Sequence, residues 1–251
     1  MDQDFQSKVV VVTGAARGLG RKTVEAFLER GASVLLVDID AARLDQTAQE
    51  LAQYQGRIAV HVADISDRDQ CFSAVAAAVA QFGKLDVLAN VAAILGIHEI
   101  PDVTQSDWER IMGVNLAGAF YLSQAALPHL LESHGNIVNV TSQSGVLGSA
   151  YVVPYAVSKA ALVHLTKSMA MEYIKHPIRI NAVSAGSMFT EISSGLIWPD
   201  HFDDELRQRY SGIRTRSQPE DVASVIVFVA SDHAKAIHGA NVAADQGTSA
   251  G

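Results

Sequence analysis

The chain has a single cysteine, Cys71, in 251 residues, so it can form no internal disulfide, and a reducing compartment fits it best. It has no apolar run near the roughly 20 residues that span a bilayer. Its opening, MDQDFQ, is not a basic-then-apolar leader. These absences predict a cytoplasmic protein with no membrane partner. Positive charge is also scarce: 19 Lys and Arg stand against 27 Asp and Glu, a formal charge of −8, which argues against nucleic acid or an anionic membrane as the main target. No linker, repeat or low-complexity tract divides the chain. His98, His129, His134, His164 and His176 lack ligand spacing with one another, so no metal is expected. Cys71 lies among alanines in a helical pattern and reads as packing.

What is present is a core. With 49% hydrophobic and 18% charged residues the chain has the balance of one folded α/β domain rather than of a disordered segment. Short β-branched runs alternate with longer amphipathic stretches. Strands are expected at residues 9–13, 33–37, 57–62, 85–89, 136–141 and 178–183, with a weaker one at 241–244. Helices are expected at 18–30, 41–54, 67–82, 107–133 and 154–176, and Pro219-Glu220-Asp221 opens another. This alternation predicts a single domain over residues 1–251: a doubly wound, Rossmann-type parallel sheet of about seven strands with helices on both faces. One substrate-loop insertion is expected at about residues 188–216.

The first strand runs straight into glycines, VVVVTGAARGLG. In such sheets a dinucleotide pyrophosphate rests on the first strand-to-helix turn. Gly14 suits a tight turn, Gly18 lets backbone approach phosphate, and Gly20 lets helix pack on strand. The spacing is GxxxGxG rather than GxGxxG, and a plain turn is the alternative reading. Asp38, at the end of the second expected strand, can hydrogen-bond ribose hydroxyls and would repel a 2′-phosphate, which favours NAD over NADP. Arg17 can pair with that phosphate and favours NADP, while Asp38 can also serve as a helix cap ahead of Ala41.

Tyr155 and Lys159 lie four apart on an expected helix and so share a face. A nearby ammonium favours phenolate and is expected to lower the Tyr155 pKa toward a range useful for proton transfer. Ser142 stands at the end of the fifth expected strand, on the edge where a ligand would lie.

From Lys8 to about Gly247 the pattern resembles the short-chain dehydrogenase/reductase family: Thr13-Gly14-Ala15-Ala16-Arg17-Gly18-Leu19-Gly20, then Asp64, Asn90, Asn115, Ser142, and Tyr155 with Lys159. The resemblance implies a catalytic set of Asn115, Ser142, Tyr155 and Lys159. In it Tyr155 exchanges the proton, Ser142 holds the substrate oxygen, Lys159 also binds the nicotinamide ribose, and Asn115 holds a water linking Lys159 to solvent. For Asn115 the alternative is a helix-interior side chain bonded to its own backbone. The resemblance places Asp64 and the following amide of Ile65 at the adenine and Asn90 beneath the adenine ribose. Gly186, Met188 and Thr190 fall on the loop facing the nicotinamide, with Thr190 fixing its carboxamide; Arg17, Leu19 and Asp38 complete the cofactor set. Three departures stand out: Asn90-Val91-Ala92-Ala93 replaces Asn-Asn-Ala-Gly, Ala185-Gly186 replaces Pro-Gly, and Asp245-Gln246-Gly247 stands where Asp-Gly-Gly is common.

The substrate pocket is expected at Leu95, Gln143, Tyr151 and Trp198, an apolar lining suited to a secondary alcohol or ketone. Arg207, Arg209, Arg214 and Arg216 read as solvated or structural charges rather than an anion site. The resemblance further implies a homotetramer. The resulting expectation is an NAD-dependent oxidoreductase of secondary alcohols and ketones. The alternatives are an NADP-dependent carbonyl reductase, for example of 3-oxoacyl type, and a non-catalytic dinucleotide-binding protein.

Overall fold

The computed structural model describes residues 3–189, 198–199, 201–209 and 214–250. From the amino end come β1 (Val9–Thr13), α1 (Gly18–Glu29), β2 (Ser33–Asp38), α2 (Ala41–Glu50), β3 (Ile58–Val62), α3 (Arg68–Phe82) and β4 (Val87–Asn90). Then follow α4 (Gln105–Met112), α5 (Ala119–Ser133), β5 (Asn136–Ser142), α6 (Val153–Glu172), β6 (Arg179–Ala185), α7 (Asp204–Gln208), α8 (Pro219–Ala230) and β7 (Asn241–Ala244).

The valines of β1 divide by parity. Val10 and Val12 share a core with α1 and α8, whereas Val9 and Val11 share one with α3, α5 and α6. A strand dry on both faces has no polar alternation, which is why the run is continuously apolar.

The strands pair in parallel as one seven-stranded sheet in the order β3-β2-β1-β4-β5-β6-β7. The chain works outward from β1 to β3, then crosses back to lay β4 on the other side of β1. At that reversal the loops leaving β1 and β4 part, and a crevice opens at the carboxyl ends of the strands.

Residues 107–133 are not one helix as expected. Between α4 and α5, Gly113–Gly118 forms a π-helical turn. A Cβ on Gly118 would lie 2.7 Å from the Ile65 carbonyl oxygen, and the Asn115 side chain within the turn is buried. The wider turn brings Asn115 inward while α4 and α5 stay packed, the usual circumstance of a π-bulge. The expected helix at 41–54 likewise closes at Glu50, and Ala52–Tyr54 is a 3₁₀ turn.

A buried polar chain crosses the centre. Asn90 Nδ2 donates to Asn139 Oδ1 at 2.8 Å, Asn139 Nδ2 donates to Thr166 Oγ1 at 2.9 Å, and Thr166 Oγ1 donates to the Leu162 carbonyl at 2.8 Å. It joins β4, β5 and α6.

Candidate active site

A cavity of about 690 Å³ runs along the crevice from the first glycine turn to Trp198. At one end, Gly14 has φ +67°, and a Cβ there would lie 2.9 Å from Ala92 Cα. A Cβ on Gly20 would run into the Gly14 carbonyl. Side chains cap α2, α3 and α4 at Asp40, Asp67 and Thr104. Helix α1 has no such bond at its cap residue, Arg17, and no acid in its first turn. Its first N–H groups and positive end therefore suit an anion supplied from outside, in a cradle that any side chain would fill.

Beside this turn Asp38 closes β2. Its Oδ2 accepts from Ala16 N at 3.0 Å and its Oδ1 from Asp40 N at 3.1 Å. The cap of α2 is Asp40, which accepts from Arg43 N, so the helix-cap alternative for Asp38 is corrected. Arg17, Asp38 and Ile39 all line the cavity. Next along it come Asp64, Ile65, Ser66, Arg110 and Val114. Asp64 Oδ1 accepts from Ser66 N at 2.9 Å and from Ser66 Oγ at 2.7 Å. Cys71 donates from Sγ to the Ile65 carbonyl at 3.1 Å, and burial pushes its thiol up to about 12, in keeping with a packing role.

Beyond the centre of the sheet, Ser142, Tyr155 and Lys159 meet at the cavity wall. The phenol of Tyr155 neighbours Ser142, whose Oγ accepts from Ser144 N at 3.2 Å. Lys159 is 2% exposed, donates from Nζ to the Val140 carbonyl at 2.7 Å, and lies 5.8 Å from the centre of the Tyr155 ring. The electrostatics reverse the expectation from spacing. Burial pushes Tyr155 above its ordinary value, with the Ser142 hydroxyl opposing, and burial brings Lys159 from 10.5 down to about 7. Desolvation disfavours both charged forms at once and outweighs the attraction that phenolate and ammonium would have.

Asn115 does not bond its own turn. Its Oδ1 accepts from Ile94 N at 2.9 Å, and its Nδ2 donates to the Ile94 carbonyl at 2.9 Å and to Ser158 Oγ at 3.1 Å. Ser158 Oγ in turn donates to the Tyr155 carbonyl at 2.7 Å. Asn115 thus ties the loop after β4 to the turn of α6 that bears Tyr155. Asn90 is 4% exposed and off the cavity wall, with its Nδ2 donating to Asn139.

Leu95, Gln143 and Trp198 line the far end of the cavity, with Gly186 and Met188 alongside. Tyr151 does not line it and stands behind Trp198 instead. Thr190 lies outside the described residues. Arg209 and Arg214 are exposed; Arg216 borders the cavity with its guanidinium over the Phe189 ring at 5.7 Å. Arg110 and Gln208 also border the cavity and were missed from sequence. Arg110 precedes Val114 by one helical turn, a signal that periodicity alone does not separate from a solvated face. Among the described residues no group of three or more His, Cys, Asp or Glu could hold a metal. None of their helices is long and apolar enough to cross a membrane.

A family model described as enoyl-(acyl carrier protein) reductase matches residues 14–249. The chain is similar to meso-2,3-butanediol dehydrogenase of Serratia marcescens, 36% identical over 98% of this chain and 96% of that one. It is similar to the NAD-dependent glycerol dehydrogenase of Listeria innocua, 34% identical over 98% of this chain and 96% of that one. Among solved structures, 3-ketoacyl-(acyl-carrier-protein) reductase from Brucella melitensis, complexed with NADH, superposes with a TM-score of 0.88. That match has 28% identity and covers 97% of this chain and 99% of that one.

Proposed function

Because the chain belongs to the short-chain dehydrogenase/reductase family, whose members here interconvert alcohols and ketones on a nicotinamide dinucleotide, we propose that it is an NAD-dependent dehydrogenase of secondary alcohols. The observation that carries this reading is the meeting of Ser142, Tyr155 and Lys159 at the wall of the cavity that also holds the uncapped start of α1. NAD, when bound, supplies the hydride acceptor.

The residues then divide the work. The turn of Gly14, Gly18, Leu19 and Gly20 takes the pyrophosphate on backbone N–H groups. Asp38 receives ribose hydroxyls, and its charge opposes a 2′-phosphate; Arg17 in the same lining favours NADP. Asp64 and Ile65 hold the adenine, and Gly186, Met188 and Thr190 the nicotinamide side. Asn90 supports this set from beneath the cavity wall. Ser142 donates to the substrate oxygen and fixes its position, and Tyr155 takes the carbinol proton or returns it. Ribose hydroxyls at Lys159 give its ammonium acceptors that burial denies it, and the recharged lysine then stabilises the Tyr155 phenolate. Asn115 fixes the loop and helix around this pair, beside the water path assigned to it by resemblance. A dinucleotide-binding protein without catalysis has no use for the neighbouring Ser142 and Tyr155.

A homotetramer in the cytoplasm completes the reading. Its support is apolar surface on helices: Trp108 on α4, Phe120 on α5, Val157 and Met171 on α6, and Phe228 on α8 are all exposed.

The test is Tyr155→Phe assayed with NAD and a panel of secondary alcohols. We expect NADH binding within a few-fold of wild type and a loss of turnover of about 10²- to 10⁴-fold. Equal turnover by the variant, or tighter use of NADPH than NADH by wild type, overturns the assignment concerned.

A further inference from the structure

One aromatic side chain of the cavity lining, Trp198, is itself held by further aromatic rings. Trp198 forms part of the lining together with Leu95, Ile97, Val152 and Met188. Its ring meets Tyr151 edge-on, centroids 6.2 Å apart at 79°, and Phe202 at 5.5 Å and 51°. Tyr151 is fixed at three points. Its backbone is left-handed, φ +63°, although it is not glycine. Its carbonyl accepts from His98 N at 2.8 Å, which ties it to the loop after β4. Its phenol oxygen accepts from Asp203 N at 2.7 Å. Asp203 is itself anchored, because its Oδ1 accepts from Glu205 N at 2.8 Å and Leu206 N at 3.2 Å at the start of α7.

A left-handed backbone at a bulky residue persists only where its surroundings hold it there. Two elements far apart in sequence here meet on one tyrosine, and the aromatic ring they secure is the one that faces the ligand space. That space, about 690 Å³ in all, must take a dinucleotide as well as the substrate. Trp198 is a large apolar side chain in the part of the lining left for substrate, beside Ser142 and Tyr155.

We propose that Trp198, positioned by Tyr151 and Phe202, is a wall that sets substrate size, restricting the enzyme to short-chain or single-ring secondary alcohols and their ketones and excluding fused-ring and long-acyl substrates. This rests on the assignment of the cavity as the site of alcohol oxidation. Trp198 is the specificity-determining residue, and Tyr151, which does not touch the cavity, is a positioning residue.

The experiment compares wild type, Trp198→Ala and Tyr151→Phe with NAD and three alcohols: 2,3-butanediol, cyclohexanol and a 3β-hydroxysteroid. Wild type is expected to favour the two small alcohols by at least ~100-fold in kcat/KM. Trp198→Ala narrows that ratio by ~10-fold or more, through a lower KM for the steroid. Tyr151→Phe keeps the ring but deletes the acceptor for Asp203 N, and shifts the ratio the same way by a smaller factor. A destabilised fold would lower kcat for all three alcohols alike and leave the ratio unmoved.

In parallel, calorimetry follows the binding of cyclohexanone and of a steroid ketone to each protein with NADH. A wild type that prefers the steroid, or a ratio unchanged in both variants, overturns the wall while leaving alcohol oxidation standing. No turnover of any alcohol, with cyclohexanone still bound in preference to the steroid ketone, overturns the catalytic assignment and sustains the wall. Binding of neither ketone overturns both.

Discussion

Lys159 Nζ sits 2.7 Å from the carbonyl oxygen of Val140, between α6 and β5, where 2% of the residue meets solvent. A carbonyl dipole offers less than a carboxylate to an ammonium, so burial dominates and brings the lysine down to about 7.

Stability should therefore depend on pH through this residue. A lysine whose folded pKa is depressed binds fewer protons folded than unfolded between about 7 and the unfolded value of ~10.4, so its contribution rises with pH across that window and falls as pH drops toward 7. Relative to Lys159→Met, wild type should gain on the order of a few kcal/mol from pH ~7 to ~10. Urea unfolding of both proteins across the range checks this; a constant difference between them refutes it.

Cofactor choice should follow Asp38. Asp38→Ser removes the charge that opposes a 2′-phosphate and also the acceptor for Ala16 N. The ratio of kcat/KM with NADP to that with NAD should rise ~10-fold or more, with NAD use weakened at the same time. Steady-state kinetics with both dinucleotides decide it; an unchanged ratio removes Asp38 as the determinant.

Gly20→Ala should damage the cradle directly. The added methyl meets the Gly14 carbonyl, and the strain should cost about 1–3 kcal/mol with NADH affinity down ~10-fold or more. Gly148→Ala is the control, since a Cβ there has nothing within 4 Å and should change neither. Thermal unfolding and NADH fluorescence titration read the two effects.

Asn115→Ala should strand the Ile94 N–H and carbonyl and take from the Ser158 hydroxyl the donor it accepts, at a cost of roughly 2–4 kcal/mol. Asn115→Asp keeps the acceptor for Ile94 N but sets an oxygen against the Ile94 carbonyl, so it should not restore the loss. If the aspartate variant matches wild type in melting temperature and rate, the clamp is not what holds the site.

The sheet was legible because its signal is local and redundant: a valine run dry on both faces, punctuated by glycines at a turn, allows few alternatives. The meeting of Ser142 and Tyr155 was legible only through the family resemblance, since spacing sets one on a strand end and the other on a helix face without bringing the two together. The π turn at Gly113–Gly118 was not. Its residues keep helical apolar spacing, and the cause lies elsewhere in the chain, in the Ile65 carbonyl against Gly118 and the Ile94 backbone on Asn115.

Burial explains the other differences. Spacing brought Lys159 to Tyr155, but the sign of the pKa shifts depended on how much water the fold leaves around both. Asn90 was placed beneath the adenine ribose by resemblance alone, and the bond of its Nδ2 to Asn139 could not be read from spacing, because the two lie on different strands. Tyr151 was read as lining because it is aromatic and near the site; its left-handed backbone turns it onto Trp198.

The polar chain from Asn90 through Asn139 to Thr166 bears on aim rather than on strength. An apolar contact between a helix and a sheet tolerates some sliding and rolling, since one greasy neighbour replaces another at little loss. A hydrogen bond in a dry interior has no such substitute: rolling α6 by a fraction of a turn would part Thr166 from Asn139 with no water to replace it. Thr166 lies on the same helix as Tyr155 and Lys159. The bearing of the proton-transfer pair is thus keyed to the sheet at a point well below the cavity, as the angle of a hand is set at its shaft.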